Sequence, residues 1–385
     1  MLAFMELVQD AWLKATGWNT NNCYSSLNAT SDALLDFEIP RGASVDVSSL
    51  SSPNFASSYS LRSTGNLSGA LSYLYSSVRL DGHVEGLHGD LRRHVRGYRH
   101  LEPLRAPDQV WWWEVWQAGR RVDQKNALLY GNIELPSSTL QSLYLRRLSP
   151  HRQLRLTSIS SSQLPNGGTL LAQLEHDVGK YSINGLYSTD GGLLGLRGLY
   201  NFGIDPRNDV QPESVSQHST SRLSAGAELY YGLLNKTGGL SAGLRFATLE
   251  AHDEVPVTAT ITANPLIGSI SSTYAIQAKQ DLSLCTKFDF NIYSYESGLS
   301  LGCELWRRPA QPSAPDPGNV DKIVIAAQDS DQESKVSGPD ASVIKARIDR
   351  NWIFAIVWQG KLKDLLFSIG TFPLSKNEAE LVADL

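Results

Sequence analysis

Cysteine is almost missing from this sequence. Only Cys23, Cys285 and Cys303 occur in 385 residues, at spacings that make neither a disulfide framework nor a zinc site, so a reducing compartment is expected. Long apolar runs are missing too. No stretch of about 18 uncharged apolar residues exists, which excludes transmembrane helices. Charge is sparse, at 19% Asp, Glu, Lys and Arg with a net charge of −5. A nucleic-acid partner held through phosphate contacts is therefore not expected. The opening MLAFMELVQDAWLKATGW lacks a basic region and a small-residue cleavage site and carries Glu6 and Asp10, so neither a signal nor a transit peptide is expected. The Asn-x-Ser/Thr sequons at Asn28, Asn66 and Asn235 then read as accidental.

What the sequence has in abundance is alternation. In DLSLCTKFDFNIYSYESGLSLGCELW (281–306), Leu282, Leu284, Phe288 and Phe290 point one way and Ser283, Cys285, Lys287 and Asp289 the other. The period is two, the period of a strand. It recurs in NFASSYSLRS, GALSYLYSS (with Leu74 the exception), YSINGLYST, LLGLRGLYNFG, LSAGAELYYG, LSAGLRFAT and VTATITA. Asn166-Gly167-Gly168, Asp190-Gly191-Gly192 and Lys236-Thr237-Gly238-Gly239 separate such segments and supply the positive φ of tight hairpins. From Ala43 to Phe372 this predicts about nineteen strands, many of roughly ten residues, the length of a tilted membrane-spanning strand. Thr139–Arg147 is ambiguous in face.

The chemistry of the two faces decides between membrane and water. A soluble sandwich or propeller carries many Lys and Glu on its wet face. Here the polar face is Ser, Thr, Gly and Asn with isolated charges (Arg62, Arg197, Glu228, Arg245, Lys287, Asp289), and the apolar face is Tyr, Phe and Leu. Lipid outside and a polar lumen inside satisfy both, and a closed barrel leaves no unpaired edge in hydrocarbon. The expected fold is all-β, a transmembrane β-barrel spanning 43–372.

Residues 1–42 read as a helical segment, with Phe4, Leu7 or Val8, Ala11 and Ala15 on one face and Thr30-Ser31-Asp32 as caps before ALLDF. Its expected place is inside the lumen, with a helix lying on the membrane surface as the alternative. Two long insertions, 78–109 and 307–341, interrupt the strands and are expected on opposite sides of the membrane; 373–385 forms a tail.

Motifs of chemistry are weak. Gly239-Leu240-Ser241-Ala242-Gly243 has the pattern of a nucleophile elbow, but begins a strand with no helix after it. His83, His88, His94 and His100 stand among arginines at spacings unlike a metal site and read as a solvated loop face. Val110–Trp116, VWWWEVW, reads as a strand at the membrane interface. No phosphate-cradling loop occurs. No catalytic residue, cofactor or metal is expected.

SSPNFASSYSL, GALSYLYSS, FDFNIYSYESGLSLGCELW and NNCYSSLNATSDALLDF together resemble the fungal mitochondrial distribution and morphology protein 10 family, related in architecture to the voltage-dependent anion channel. The resemblance implies a nineteen-stranded barrel of the mitochondrial outer membrane without enzymatic activity. It implies two sets of partners: the lipid-transfer subunits with SMP domains in the ER–mitochondria encounter structure, and the β-barrel core and accessory subunits of the sorting and assembly machinery. The phospholipid bilayer is the third partner. KDLLFSIGTF (363–372) departs from the sorting signal of such barrels, with Leu365 or Leu366 where a glycine is expected. On the resemblance, Tyr73 and Tyr75 are assigned to the tethering complex, and Phe288, Phe290, Tyr293 and Tyr295 to the assembly machinery. A metabolite pore is the alternative function.

Overall fold

A computed structural model describes residues 1–64, 66–84, 91–101, 104, 114–118, 120–123, 125–164, 166–203, 221–249, 255–307, 342–362 and 365–371. The tail 373–385, Phe372 and most of the second insertion lie outside the described residues.

The alternating segments become strands. They are β1 (Ala43–Ser52), β2 (Phe55–Thr64), β3 (Asn66–Ser76), β4 (Glu114–Gln117), β5 (Arg120–Asp123), β6 (Ala127–Leu135) and β7 (Thr139–Ser149). Next come β8 (Arg152–Ser160), β9 (Gly168–Asp177), β10 (Tyr181–Ser188), β11 (Leu193–Asn201), β12 (Ser221–Gly232), β13 (Thr237–Thr248) and β14 (Val257–Asn264). The last are β15 (Ser269–Lys279), β16 (Leu282–Asn291), β17 (Ser297–Arg307), β18 (Ser342–Asp349), β19 (Phe354–Leu362) and β20 (Leu365–Gly370). Eighteen of them form one sheet, each strand antiparallel to the next, and β4 pairs only with β5 in a separate hairpin. Of VWWWEVW, Val110–Trp113 lie outside the described residues, and Glu114–Trp116 belong to that hairpin rather than to the sheet. Its sequence alternates like a membrane strand, but its described part follows the first insertion as a hairpin separate from the sheet.

The sheet is rolled. Its edges β1 and β20 are not hydrogen-bonded to each other among the described residues. They nevertheless approach where a Cβ on Gly370 would stand 2.8 Å from Pro40 and 2.9 Å from Ile39, the residues leading into β1. Val45, Tyr59, Tyr187, Leu196, Leu229, Leu244, Phe288, Leu301 and Ile356 stand exposed on the outer wall. Ser182, Asn201, Ser224, Arg245, Thr260, Thr273, Ser283 and Gln359 are buried on the inner one. A largely apolar outer wall of this extent matches hydrocarbon as its solvent. No described helix is long and apolar enough to cross a membrane; the strands, with apolar outward rows, are the elements built to meet hydrocarbon.

The amino-terminal segment lies within the roll. Helix α1 (Phe4–Ala15) buries Met5, Leu7, Val8, Ala11 and Trp12 against Ala56, Leu74, Leu128, Leu143 and Leu145 of β2, β3, β6 and β7. This contact explains two irregularities of the alternation. Leu74 turns inward onto α1 between the outward Tyr73 and Tyr75, and Thr139–Arg147 is apolar on both faces because its inward Leu143 and Leu145 meet α1 as well. Beyond α1 the chain follows the inner wall strand by strand. The Arg147 guanidinium lies 4.4 Å over the Trp18 ring, Asn22 Nδ2 donates to Asp177 (2.6 Å), Tyr24 Oη meets Ser241 Oγ (2.7 Å), and Thr260 Oγ1 donates to Asn28 (3.0 Å). Helix α2 (Ala29–Leu35) then packs Leu34 and Leu35 against Ala275 and Cys285. It starts earlier than the sequence implied, so Thr30, Ser31 and Asp32 lie within it rather than capping it. Ser31 Oγ donates back to the Asn28 carbonyl at 2.8 Å.

Two glycines cut notches for this segment. A Cβ on Gly226 would lie 2.6 Å from the Tyr24 ring, and one on Gly302 would lie 2.7 Å from Leu35. These sites hold side chains of the segment where any larger residue would expel them.

Strand parity sets the rims. Turns after odd members of the sheet lie at one end, here the insertion rim, and turns after even members at the other, the hairpin rim. The first insertion follows β3 and the second follows β17, the fifteenth strand of the sheet. Both therefore leave from the insertion rim, not from opposite sides as expected, because β4 and β5 pair apart from the sheet and add no strand between the two insertions.

Candidate partner surfaces and a filled lumen

The first insertion folds back into the mouth of the barrel. Short helices α3 (Asp81–Val84) and α4 (Leu91–His94) precede residues 95–101, which cross to the far wall. Leu91 and Val95 pack with Trp306 and Val343, Tyr98 Oη meets Thr258 Oγ1 at 3.2 Å, and Leu101 bridges to Leu249. His94 is buried, and its carbonyl accepts from the Leu2 amide at 2.8 Å. The expectation of a solvated histidine face thus fails for His94; His83 and His88 are outside what can be described at side-chain level. A run rich in Arg and His folds inward because its carbonyls, Leu91, Val95 and Tyr98 provide the contacts, while Arg92, Arg93, Arg96 and Arg99 stay at the water.

The amino-terminal segment and the insertion meet directly through Arg96 and Glu6 (2.8 Å) and, more deeply, around a buried ion pair of the barrel wall. Lys345 Nζ lies 3.4 Å from Glu304 Oε2, with side chains 3% and 1% exposed. The same ammonium donates to the carbonyls of Ala33 in α2 (2.9 Å) and of Arg96, while Trp306 Nε1 donates to Glu304. One buried cation thereby ties α2, the insertion and two barrel strands together. Asp10 and Asp32, on α1 and α2, are flanked by protein, and partial desolvation pushes both carboxyls above the ordinary range; Asp36 beside Asp32 adds to its rise. Among the described residues no group of three metal-ligating side chains converges.

The early tyrosines stand on the outer wall as expected. Tyr73 and Tyr75 are exposed near the insertion-rim end of β3. Tyr73 stacks on Phe55 (5.7 Å between centroids) and meets Tyr59 edge-on, with the two hydroxyls 3.4 Å apart. Phe55 and Tyr59 complete a patch that the sequence reading missed, although their alternation in NFASSYSL was visible. Ser57 lies on the same outward row and is buried; its hydroxyl is 3.2 Å from that of Ser51 and 3.5 Å from that of Ser49. Hydroxyls clustered under aromatic rings on a wall that otherwise meets lipid are a polar feature that hydrocarbon does not reward.

The late group divides. Phe288 and Phe290 are on the outward row of β16, opposite Leu299 and Ser297. Tyr293 and Tyr295 do not share a strand face: they lie in the turn between β16 and β17, at the hairpin rim. Tyr293 folds over Gly268 and donates to the Pro265 carbonyl at 3.0 Å, whereas Tyr295, with φ 55°, is 80% exposed. Asn291 Oδ1 accepts from the amides of Tyr293 and Ser294, which closes the turn there and breaks the alternation. The two candidate surfaces are thus on distant arcs, and also at opposite ends of the strands.

Comparison with known proteins identifies the family of this chain. The family model described as Mitochondrial distribution and morphology protein 10 matches residues 1–340. Proteins of that name from Sclerotinia sclerotiorum and Phaeosphaeria nodorum are 52% and 51% identical, over 96% and 98% of this chain and 94% and 96% of their own lengths. The Yarrowia lipolytica protein of that name is 41% identical over 80% of this chain and 84% of its own. With a family model matched over residues 1–340 and relatives 51–52% identical along nearly the whole chain, this chain belongs to the mitochondrial distribution and morphology protein 10 family, and so to the proteins of mitochondrial distribution and morphology.

Proposed function

We propose that this protein is a non-enzymatic barrel of the mitochondrial outer membrane that works through its outer wall and rims. In this reading it anchors the ER–mitochondria encounter structure, and so organelle tethering and phospholipid exchange, and serves as a subunit of the sorting and assembly machinery. The observation that carries it is the filled lumen. A barrel whose interior is occupied by residues keyed into glycine notches, and whose mouth is crossed by a second segment, is suited to docking rather than to bulk flow. The aromatic patch at Tyr73 supplies a docking face, since tyrosine is favoured at binding hot spots.

Co-purification from mild detergent tests the assignment of surfaces. Tyr73→Ala with Tyr75→Ala is expected to lose the tethering subunits and keep the assembly machinery. Phe288→Ala with Tyr295→Ala is expected to do the reverse; Tyr293 is spared because it holds its turn. Loss of both complexes by either pair, or of neither, would leave these rings as membrane-interface anchors only.

The metabolite-pore alternative has its own test. Deleting residues 1–37 should open a large, steady conductance in planar bilayers that the intact chain lacks. An intact chain that already conducts like the deletion would favour the pore.

A further inference from the structure

The outer wall between β7 and β11 carries a second feature, at the insertion rim and away from both aromatic surfaces. Arg146 lies near the end of β7 and Arg152 begins β8, and both are exposed on outward rows. Arg152 is opposite His176 of β9, whose ring is 6.2 Å from those of His151 and Tyr181. Lys180, in the turn between β9 and β10, holds its ammonium 5.8 Å from the outward ring of Tyr200. The alternation places Glu175 and Asp177 on the inner wall, so no carboxylate shares the outward rows of β7 to β11 with these cations. Neither arginine makes an ion pair among the described residues.

Directly below them the wall is notched. Leu154 and Leu174 are two residues along their strands from Arg152 and His176, about 7 Å toward the membrane centre. They begin an apolar groove of about 360 Å³ that continues past Gly185 to Ala172, Tyr187 and Leu194. Gly185 makes the notch: a Cβ built there meets nothing within 4 Å, so the space is open to an occupant. Cations at the depth of the headgroups, with an apolar groove running from them toward the bilayer centre, match an amphipathic ligand with an anionic head and a hydrocarbon tail.

We infer that this arc is a selective site for one anionic glycerophospholipid of the insertion-rim leaflet, its phosphate held by Arg146, Arg152 and Lys180 and an acyl chain laid over Gly185. The site does not depend on the partner assignments above. A basic belt alone would attract anionic lipid along the whole rim. The groove is what makes this arc selective, and Lys279 and Arg307, exposed outward on β15 and β17, serve as the comparison.

The test reconstitutes the full-length protein in phosphatidylcholine nanodiscs containing a minor share of phosphatidylglycerol, followed by native mass spectrometry of retained lipid. The wild type should retain phosphatidylglycerol, and the triple variant Arg146→Gln, Arg152→Gln, Lys180→Gln should lose that retention roughly tenfold or more. Gly185→Leu, whose Cβ has open space and whose side chain fills the groove without altering a charge, should lose it as well. Lys279→Gln with Arg307→Gln should leave it unchanged. Heat-dependent gel migration checks that each variant is folded, and glycerol phosphate added free should not compete, since it has no chain for the groove. Retention unaffected by Gly185→Leu, or lost equally in the β15 and β17 variant, would mean a diffuse charge belt and overturn the site.

Discussion

Ala227→Arg should largely abolish stable insertion of the barrel, while Glu228→Gln, one residue on, should leave it nearly intact. Ala227 lies at the middle of β12 in an outward row, opposite Gly198 and Ala242. An arginine there has only hydrocarbon to enter, at about 2 to 4 kcal/mol near the midplane. Glu228 faces the lumen, 3.2 Å from the Arg197 guanidinium and within 3.0 Å of Tyr230 Oη. A glutamine can keep one of those contacts, and the pair is partly open to water, so the cost stays near or below about 1 kcal/mol. The measurement is the fraction resistant to carbonate extraction after import or refolding into liposomes. Equal integrated yields for the two variants would reverse the assignment of faces.

Lys345→Met should be the most damaging single change on the inner wall. It leaves Glu304 with only Trp306 Nε1 in a buried site and strips the donor from the Ala33 and Arg96 carbonyls. Breaking one half of a buried pair costs about 3 to 5 kcal/mol, because the remaining charge is unpaired. Adding Glu304→Gln to Lys345→Met should recover a large part of that loss. Denaturant unfolding in detergent measures the cycle, and the two changes should be strongly non-additive. Limited proteolysis supplies the second readout: the methionine variant should release residues 1–37 before the barrel itself unfolds. Additive losses with an equally protected amino terminus would mean that this ion pair does not fasten the plug.

Both expectations rest on faces that alternation alone made visible. A residue two positions along a strand faces the same side, so outward Leu, Tyr and Phe and inward Ser, Thr and Asn could be assigned from GALSYLYSS or LSAGAELYYG without coordinates. The chemistry of the inner face separated a membrane barrel from a soluble sheet. Tyr73, Tyr75, Phe288 and Phe290 were placed on the outer wall for the same reason, and α1 followed from its apolar spacing.

Period two is silent about everything that depends on which strand meets which object. It could not tell that Leu74, Leu128 and Leu145 are apolar on the inner side because α1 covers them. Nor could it show that Glu114–Gln117 pair only with their own hairpin, which moved the count and with it the rim of the second insertion. Tyr293 and Tyr295 keep a two-residue spacing that a strand and a tight turn share, and the hydrogen bonds of Asn291 decided between them. The Lys345–Glu304 clamp and the cation cluster over Gly185 join residues from distant segments or neighbouring strands. Local sequence determined the strands and their two faces because those follow from one residue's relation to the next; the contents of the lumen, the rims and the sites on the wall were decided only when the sheet rolled up and brought remote segments together.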